Sequence, residues 1–212
     1  DVLLCADKAA AASRYHCAMH TISDDLRLDH RAALPAEIAL LRAKYPVPQW
    51  PAHTNYGELA AFWLQVHDAL RAEGAALARV SEDFREGRTD IAAFERAFAP
   101  RLRAYLQHLE GHHRIEDAHY FPRFRNLDKR LIYGFDLLEN DHEIIHEQLL
   151  SVVDSARSLL QAFAVGDDAL RYGVDTYAER ADRLLVLVKQ HLADEEEIVI
   201  PSILEYGELA LR

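Results

Sequence analysis

Residues 108–122 read HLEGHHRIEDAHYFP, and residues 191–201 read HLADEEEIVIP. The second stretch nearly repeats the first at an offset of 79 residues, which carries His112 onto His191, Glu116 onto Glu195 and Pro122 onto Pro201. The same offset carries His67 of VHDAL onto His146 of IHEQL. Matches in one register, among residue types that bind metals, point to a chain built from two related halves.

Outward from these stretches the pattern is helical. From Tyr56 to Val80, Ala60, Trp63, Leu64, His67, Leu70 and Leu77 follow a 3.6-residue spacing. EGRTD interrupts it, with Thr89 or Asp90 as N-cap of a second helix running from Ile91 to Phe124 and bending or restarting at Pro100. The inner stripe of that helix is Tyr105, Leu109, His112, Glu116 and His119. A third helix, Asp128 to Phe163, carries Phe135, Leu138, His142, Ile145, His146, Leu149 and Val153 on one face. VGDD turns the chain into a fourth, Ala169 to Glu196, with Leu184, Val188, His191, Glu195 and Ile198 along the same stripe. No alternating strand pattern intervenes. The expected fold is all-α, an antiparallel up-and-down four-helix bundle over residues 56–212, preceded by an N-terminal, partly helical extension over residues 1–55. Within the extension PAEIALLRAKY reads as a short helix, and YPVPQWPAHTN as an irregular connection anchored by Trp50.

Residues four apart on a helix point the same way. His112 with Glu116, His142 with His146, and His191 with Glu195 therefore each present two donors from one helix, and His67 adds one from the remaining helix. All fall where an ordinary bundle places leucine or isoleucine, and buried unpaired imidazoles and carboxylates are costly. A divalent metal compensates, because neutral imidazole and ionised carboxylate are then ligands. Five nitrogens and two carboxylates without sulphur exceed one tetrahedral zinc; they suit two octahedral centres with shared carboxylates, a set that favours iron or manganese, with zinc and copper as competitors. The repeat is broken at one point: the counterpart of His142 in the first half is Trp63. One ion then receives His142, His146 and His191, the other only His67 and His112, leaving the second an open position for a small molecule such as dioxygen. His113 points about 100° away from His112 and reads as an outer or surface residue, while His108 and His119 read as polar core histidines.

The pattern His67, HHRIE, HEIIH and HLADE resembles hemerythrin and the bacterial hemerythrin-like, HHE cation-binding domains, over roughly residues 56–206. The resemblance implies a non-haem di-iron centre with an oxo or hydroxo bridge and dioxygen bound end-on at the two-histidine iron. Hemerythrin ends with an aspartate five positions after its last histidine; here Glu195 is four after His191 and Glu196 five after, and the repeat register selects Glu195. Many hemerythrin-like domains with this glutamate are not simple oxygen carriers. A ferritin-like site is rejected, because the last helix has no Glu-x-x-His and the first offers His67 in place of a glutamate.

A net charge of −11 argues against nucleic-acid and anionic-membrane partners. Cys5 and Cys17 are the only cysteines, so no disulfide or iron–sulphur framework is expected, and their neighbours His16 and His20 read as bland. With no apolar run long enough to span a bilayer and no signal-peptide pattern, the expected location is the cytoplasm. Met19 is the only methionine, which opens residues 1–18 to reading as start-site or cloning sequence. The functional expectation is a protein that binds dioxygen or another small diatomic ligand for sensing, storage or delivery, with a homodimer through residues 1–55 open. The alternative is a di-iron redox enzyme acting on peroxide or nitric oxide, or an iron donor in iron–sulphur cluster repair.

Overall fold

In a computed structural model, residues 22–163 and 167–211 are described. The expectations for residues 1–18, His20 and the start of the VGDD turn lie outside them. The chain runs through α1 (Glu58–Arg85), α2 (Ile91–Ile115), a single π-helical turn (Glu116–Tyr120), α3 (Phe121–Leu127), α4 (Ile132–Ala162) and α5 (Asp167–Tyr206). α4 packs on α5, α1 on both α2 and α5, and α2 touches α4, closing a ring of four antiparallel helices. Among the described residues no strand occurs, and no helix is long and apolar enough to cross a membrane.

The ends of the helices follow local chemistry. The Asp90 carboxylate accepts from Ala93 N at 2.7 Å, satisfying one of the orphan donors of α2. α1 begins after Gly57, which has no side chain to cap with; Glu208, from the far end of the chain, accepts from Leu59 N and Ala60 N instead. α5 runs ten residues past its expected end at Glu196, through Pro201, and stops before Gly207 at φ 79°.

Three further details differ from the sequence expectation. α2 continues through Pro100 without a break, and regular winding changes only at Glu116–Tyr120. The physical reason lies downstream: Pro122 has no N–H and crowds the carbonyl four residues back, and a π-turn opens that bond pattern by one residue, with Phe121 N bonded to Glu116 O. Residues 35–45 form successive turns rather than a helix, and the described part of the extension has only short 3-10 pieces, at Asp24–Leu26 and Val47–Ala52. His119 is exposed and His108 is half-buried beside Glu73, so neither is a core histidine.

The apolar interior falls into two clusters. One gathers Leu70, Leu77, Phe94, Phe98, Leu109, Ile145 and their neighbours toward the α1–α2 turn. The other gathers Trp63, Phe121, Phe124, Phe135, Ile198 and Ile203, and the extension joins it through Leu34, Ile38 and Trp50. Each long helix passes from one cluster to the other across a polar layer at His67, His112–Glu116, Asp141–His142 and His191–Glu195.

Candidate metal centre

That layer contains two groups of donors. His113, His142 and His191 form one; His67, His112, Glu116 and Glu195 form the other, and in each group the donor atoms lie within 4.8 Å of one another. His67, His191 and Glu195 are fully buried, and Glu116, His142 and His113 nearly so.

The structure thus brings together six of the seven residues singled out in the sequence, places His113 beside them and leaves His146 apart. His146 lies outside both groups: its side chain is 37% exposed and its Nδ1 faces Glu110 at 3.2 Å. Four residues of helix turn through about 400°, so His146 is rotated about 40° from His142, and Ile145, fully buried, takes the inward place. His113, expected outside, is inside. Its ring stacks on His142 at 4.0 Å with an interplanar angle of 9° and meets His191 edge-on at 5.4 Å. α2 stands between α1 and α4 in the ring, and two successive residues about 100° apart on one helix face two different neighbours. His112 faces His67 of α1, with rings 5.1 Å apart, and His113 faces His142 of α4. The consecutive histidines were the available signal for this, provided both directions counted as inward.

The donor chemistry of both groups fits a cation. Nε2 of His67, His112 and His113, both oxygens of Glu116 and Oε2 of Glu195 are buried without a hydrogen-bond partner. Such orphans are costly in a protein interior unless an ion satisfies them. His142 Nε2 and His191 Nε2 approach to 3.0 Å, and two nitrogens about 2.1 Å from one ion at a right angle stand about 3.0 Å apart. Behind the ligating atoms, carboxylates occupy the other ring nitrogens: Glu196 at His67 Nδ1 (2.9 Å), Asp117 at His142 Nδ1 (2.7 Å) and Asp141 at His191 Nδ1 (3.3 Å). Such pairing leaves Nε2 free for metal and raises its basicity. Trp63, at the repeat position of His142, donates its indole N–H to Glu195 Oε1 at 2.6 Å and so orients that carboxylate.

Comparison with known proteins agrees with this geometry: residues 58–203 match the family model of the hemerythrin HHE cation-binding domain. The chain belongs to that family. As an HHE domain it is a cation-binding bundle, and the buried histidine and glutamate groups are candidates to hold the cation. No curated protein and no solved structure matches the chain. The HHE match begins at Glu58, so the extension lies outside it.

Without metal, the protons in this HHE centre are unevenly held. Burial drives His112 down to about 3 and His113 well below its ordinary value, so both rings are neutral at pH 7. Burial opposes protonation of His191 too, but the Asp141 and Glu195 carboxylates beside its two ring nitrogens outweigh it and bring the ring up to about 9. Glu116 is pushed well up by burial and by facing Glu195; Glu195 itself, despite burial, is held well down by His67 and His191. A cation entering at neutral pH finds free nitrogens on α2 but must displace the proton of His191. Affinity therefore rises with pH between about 6 and 9, the protonated forms being the ones that exclude metal. Zinc titrations by calorimetry, in buffers of different ionisation enthalpy, are expected to show proton release at pH 7 that shrinks toward pH 9. A pH-independent affinity would contradict this assignment of protons.

Proposed function

We propose that the protein holds two ions, iron in its working form with manganese or zinc as substitutes, and binds dioxygen or another small diatomic molecule at the ion held by His67 and His112. The functional unit in this reading is the bundle, residues 56–212, with residues 1–55 as an extension. The observation that carries it is the unequal division of histidines. His113, His142 and His191 would hold one ion and His67 and His112 the other. Glu116 and Glu195 group with the second pair but also approach His142 (3.6 Å) and His191 (3.2 Å) of the first, respectively, so that they could be shared. Trp63 takes the place a third histidine would have on the second ion, and its N–H is spent on Glu195. That leaves the second ion short of protein donors. When bound, a pair of ferrous ions supplies the electrons with which dioxygen is held reversibly. Around the open position the chain's own residues exclude water: Trp63 packs edge-on against Tyr120 at 5.0 Å and Phe124 at 6.2 Å, over the ring of His67.

Ligand binding is preferred over turnover because neither His119 nor Tyr105 of the sequence stripe stands at that position as a proton donor. His119 is exposed, and Tyr105 is buried in the apolar cluster toward the α1–α2 turn with its hydroxyl against Gly74. The test is the optical spectrum of reduced, metal-quantified protein before and after oxygen. Two irons per chain with a visible band that forms with oxygen and leaves under argon supports the reading. Irreversible oxidation without such a band moves the function to redox enzymology or iron handling, and fewer than two metals overturns the two-ion site.

A further inference from the structure

We propose that Arg31, in the extension that precedes the family-matched residues, is a positioning residue for the three-histidine side of the centre. The inference rests on the two-ion reading above.

Arg31 is nearly enclosed, with its side chain 2% exposed. Its Nε donates to Asp194 Oδ2 at 2.8 Å, its Nη1 to Asp141 Oδ1 at 2.9 Å and to Leu26 O at 2.8 Å, and its Nη2 makes a short bond to Asp141 Oδ2. Asp141 is fully buried and accepts from His191 Nδ1 through that same Oδ2. Asp194 is 3% exposed and is otherwise bonded to Gln190 Nε2 at 2.8 Å. Two neighbouring buried carboxylates repel each other unless a cation lies between them. The planar guanidinium fork satisfies both at once, which an ammonium group does less well. Asp141 has no donor other than this fork and His191 among its described bonds. Arg31 therefore sets where Asp141 stands, Asp141 sets the orientation of the His191 ring, and the ring presents Nε2 to His142 and Glu195.

The other side of the centre is built alike from within the bundle. Arg71 Nη2 donates to Glu196 Oε1 at 2.8 Å, and that oxygen accepts from His67 Nδ1 at 2.9 Å. Each ion position is thus backed by an arginine–carboxylate–histidine relay, but only Arg71 belongs to the stretch that matches the HHE domain. The extension supplies the second relay. It is pinned nearby by a separate ion pair, Arg42 with Glu197, which touches neither Asp141 nor Asp194.

The test is a cobalt(II) titration of the full chain, read by its visible bands and by metal quantification. Wild type takes up two ions. Arg31→Met keeps one at wild-type affinity and binds the other about 10–100-fold more weakly, with loss of the bands of the three-histidine ion. Arg42→Met, which loosens the same segment without touching the relay, keeps both. Circular dichroism establishes folding, and if Arg31→Met does not fold, Arg31→Lys, which retains charge but not the fork, shows the same selective weakening. Unchanged uptake in Arg31→Met or, failing that variant, Arg31→Lys overturns the inference alone. Equal weakening of both ions, or the same loss in Arg42→Met, overturns it in favour of general packing. Wild-type uptake below two ions overturns the two-ion reading and this inference with it.

Discussion

His113→Ala is expected to leave the protein with one tightly bound ion, whereas His146→Ala retains two. The sequence register makes the opposite prediction, so the pair of variants discriminates between the two ligand sets. His113 Nε2 is buried without a partner, and the ring lies against those of His142 and His191. Removing it leaves that group with two nitrogens. The loss of affinity is expected to exceed the 10–100-fold typical of outer-shell changes, by about another factor of ten. His146, half-exposed and facing Glu110, is an ion pair of the kind that contributes little at a surface. Its removal shifts stability by less than about 1 kcal/mol. Metal quantification after desalting, with calorimetry for the affinities, measures both. One ion in His146→Ala and two in His113→Ala would restore the register-based set.

Stripping the metal is expected to lower the melting temperature by about 10 °C or more. Ligand at about a thousand times its dissociation constant stabilises the folded state by about 4 kcal/mol, and each kcal/mol moves the midpoint of a domain this size by about 2–4 °C. The stabilisation is specific to the folded chain because the donors come from four helices and do not converge when it unfolds. In the metal-free state the same layer is a liability: Glu116 is driven to keep its proton, and the nitrogens of His112 and His113 are buried unsatisfied. Scanning calorimetry with and without chelator makes the comparison. Identical midpoints would mean that the buried donors are not coupled to an ion.

Much of this was legible in the chain itself. Helical periodicity located all four long helices, and polar residues in an apolar stripe located the layer, because both signals are local and repeat every turn. What escaped was angular or distant. The spacing of His142 and His146 looks equivalent to that of His112 and Glu116, yet a 40° rotation is enough to move His146 to the rim while Ile145 turns inward. His113 points away from His112 and so reads as an outer residue, although a helix with two core-facing neighbours has two inward directions. The winding change was expected at Pro100, but the π-turn before Pro122 is where it occurs. Arg31 carries no local signal, since its partners Asp141 and Asp194 are 110 and 163 residues away in the chain. The turns of residues 35–45 owe their shape to contacts of Leu34, Ile38 and Ala39 with the bundle, which sequence periodicity does not encode.

The separation of the interior into two apolar clusters bears on how the molecule comes apart. Neither cluster reaches across the layer, so the cooperativity of the whole depends on what the layer contains. With ions in place it acts as a rivet through all four helices, and local opening must break both halves together. With the layer empty, the end holding α3, the tail of α5 and residues 34–50 of the extension becomes a separate foldon, able to open while the end nearer the α1–α2 turn, with Leu28 packed in it, stays closed. Amide exchange in the metal-free protein would then be fast and concerted around Phe121, Ile198 and Trp50 and slow around Phe98 and Leu109. The ions, beyond any ligand they bind, would be what makes this chain a single cooperative unit.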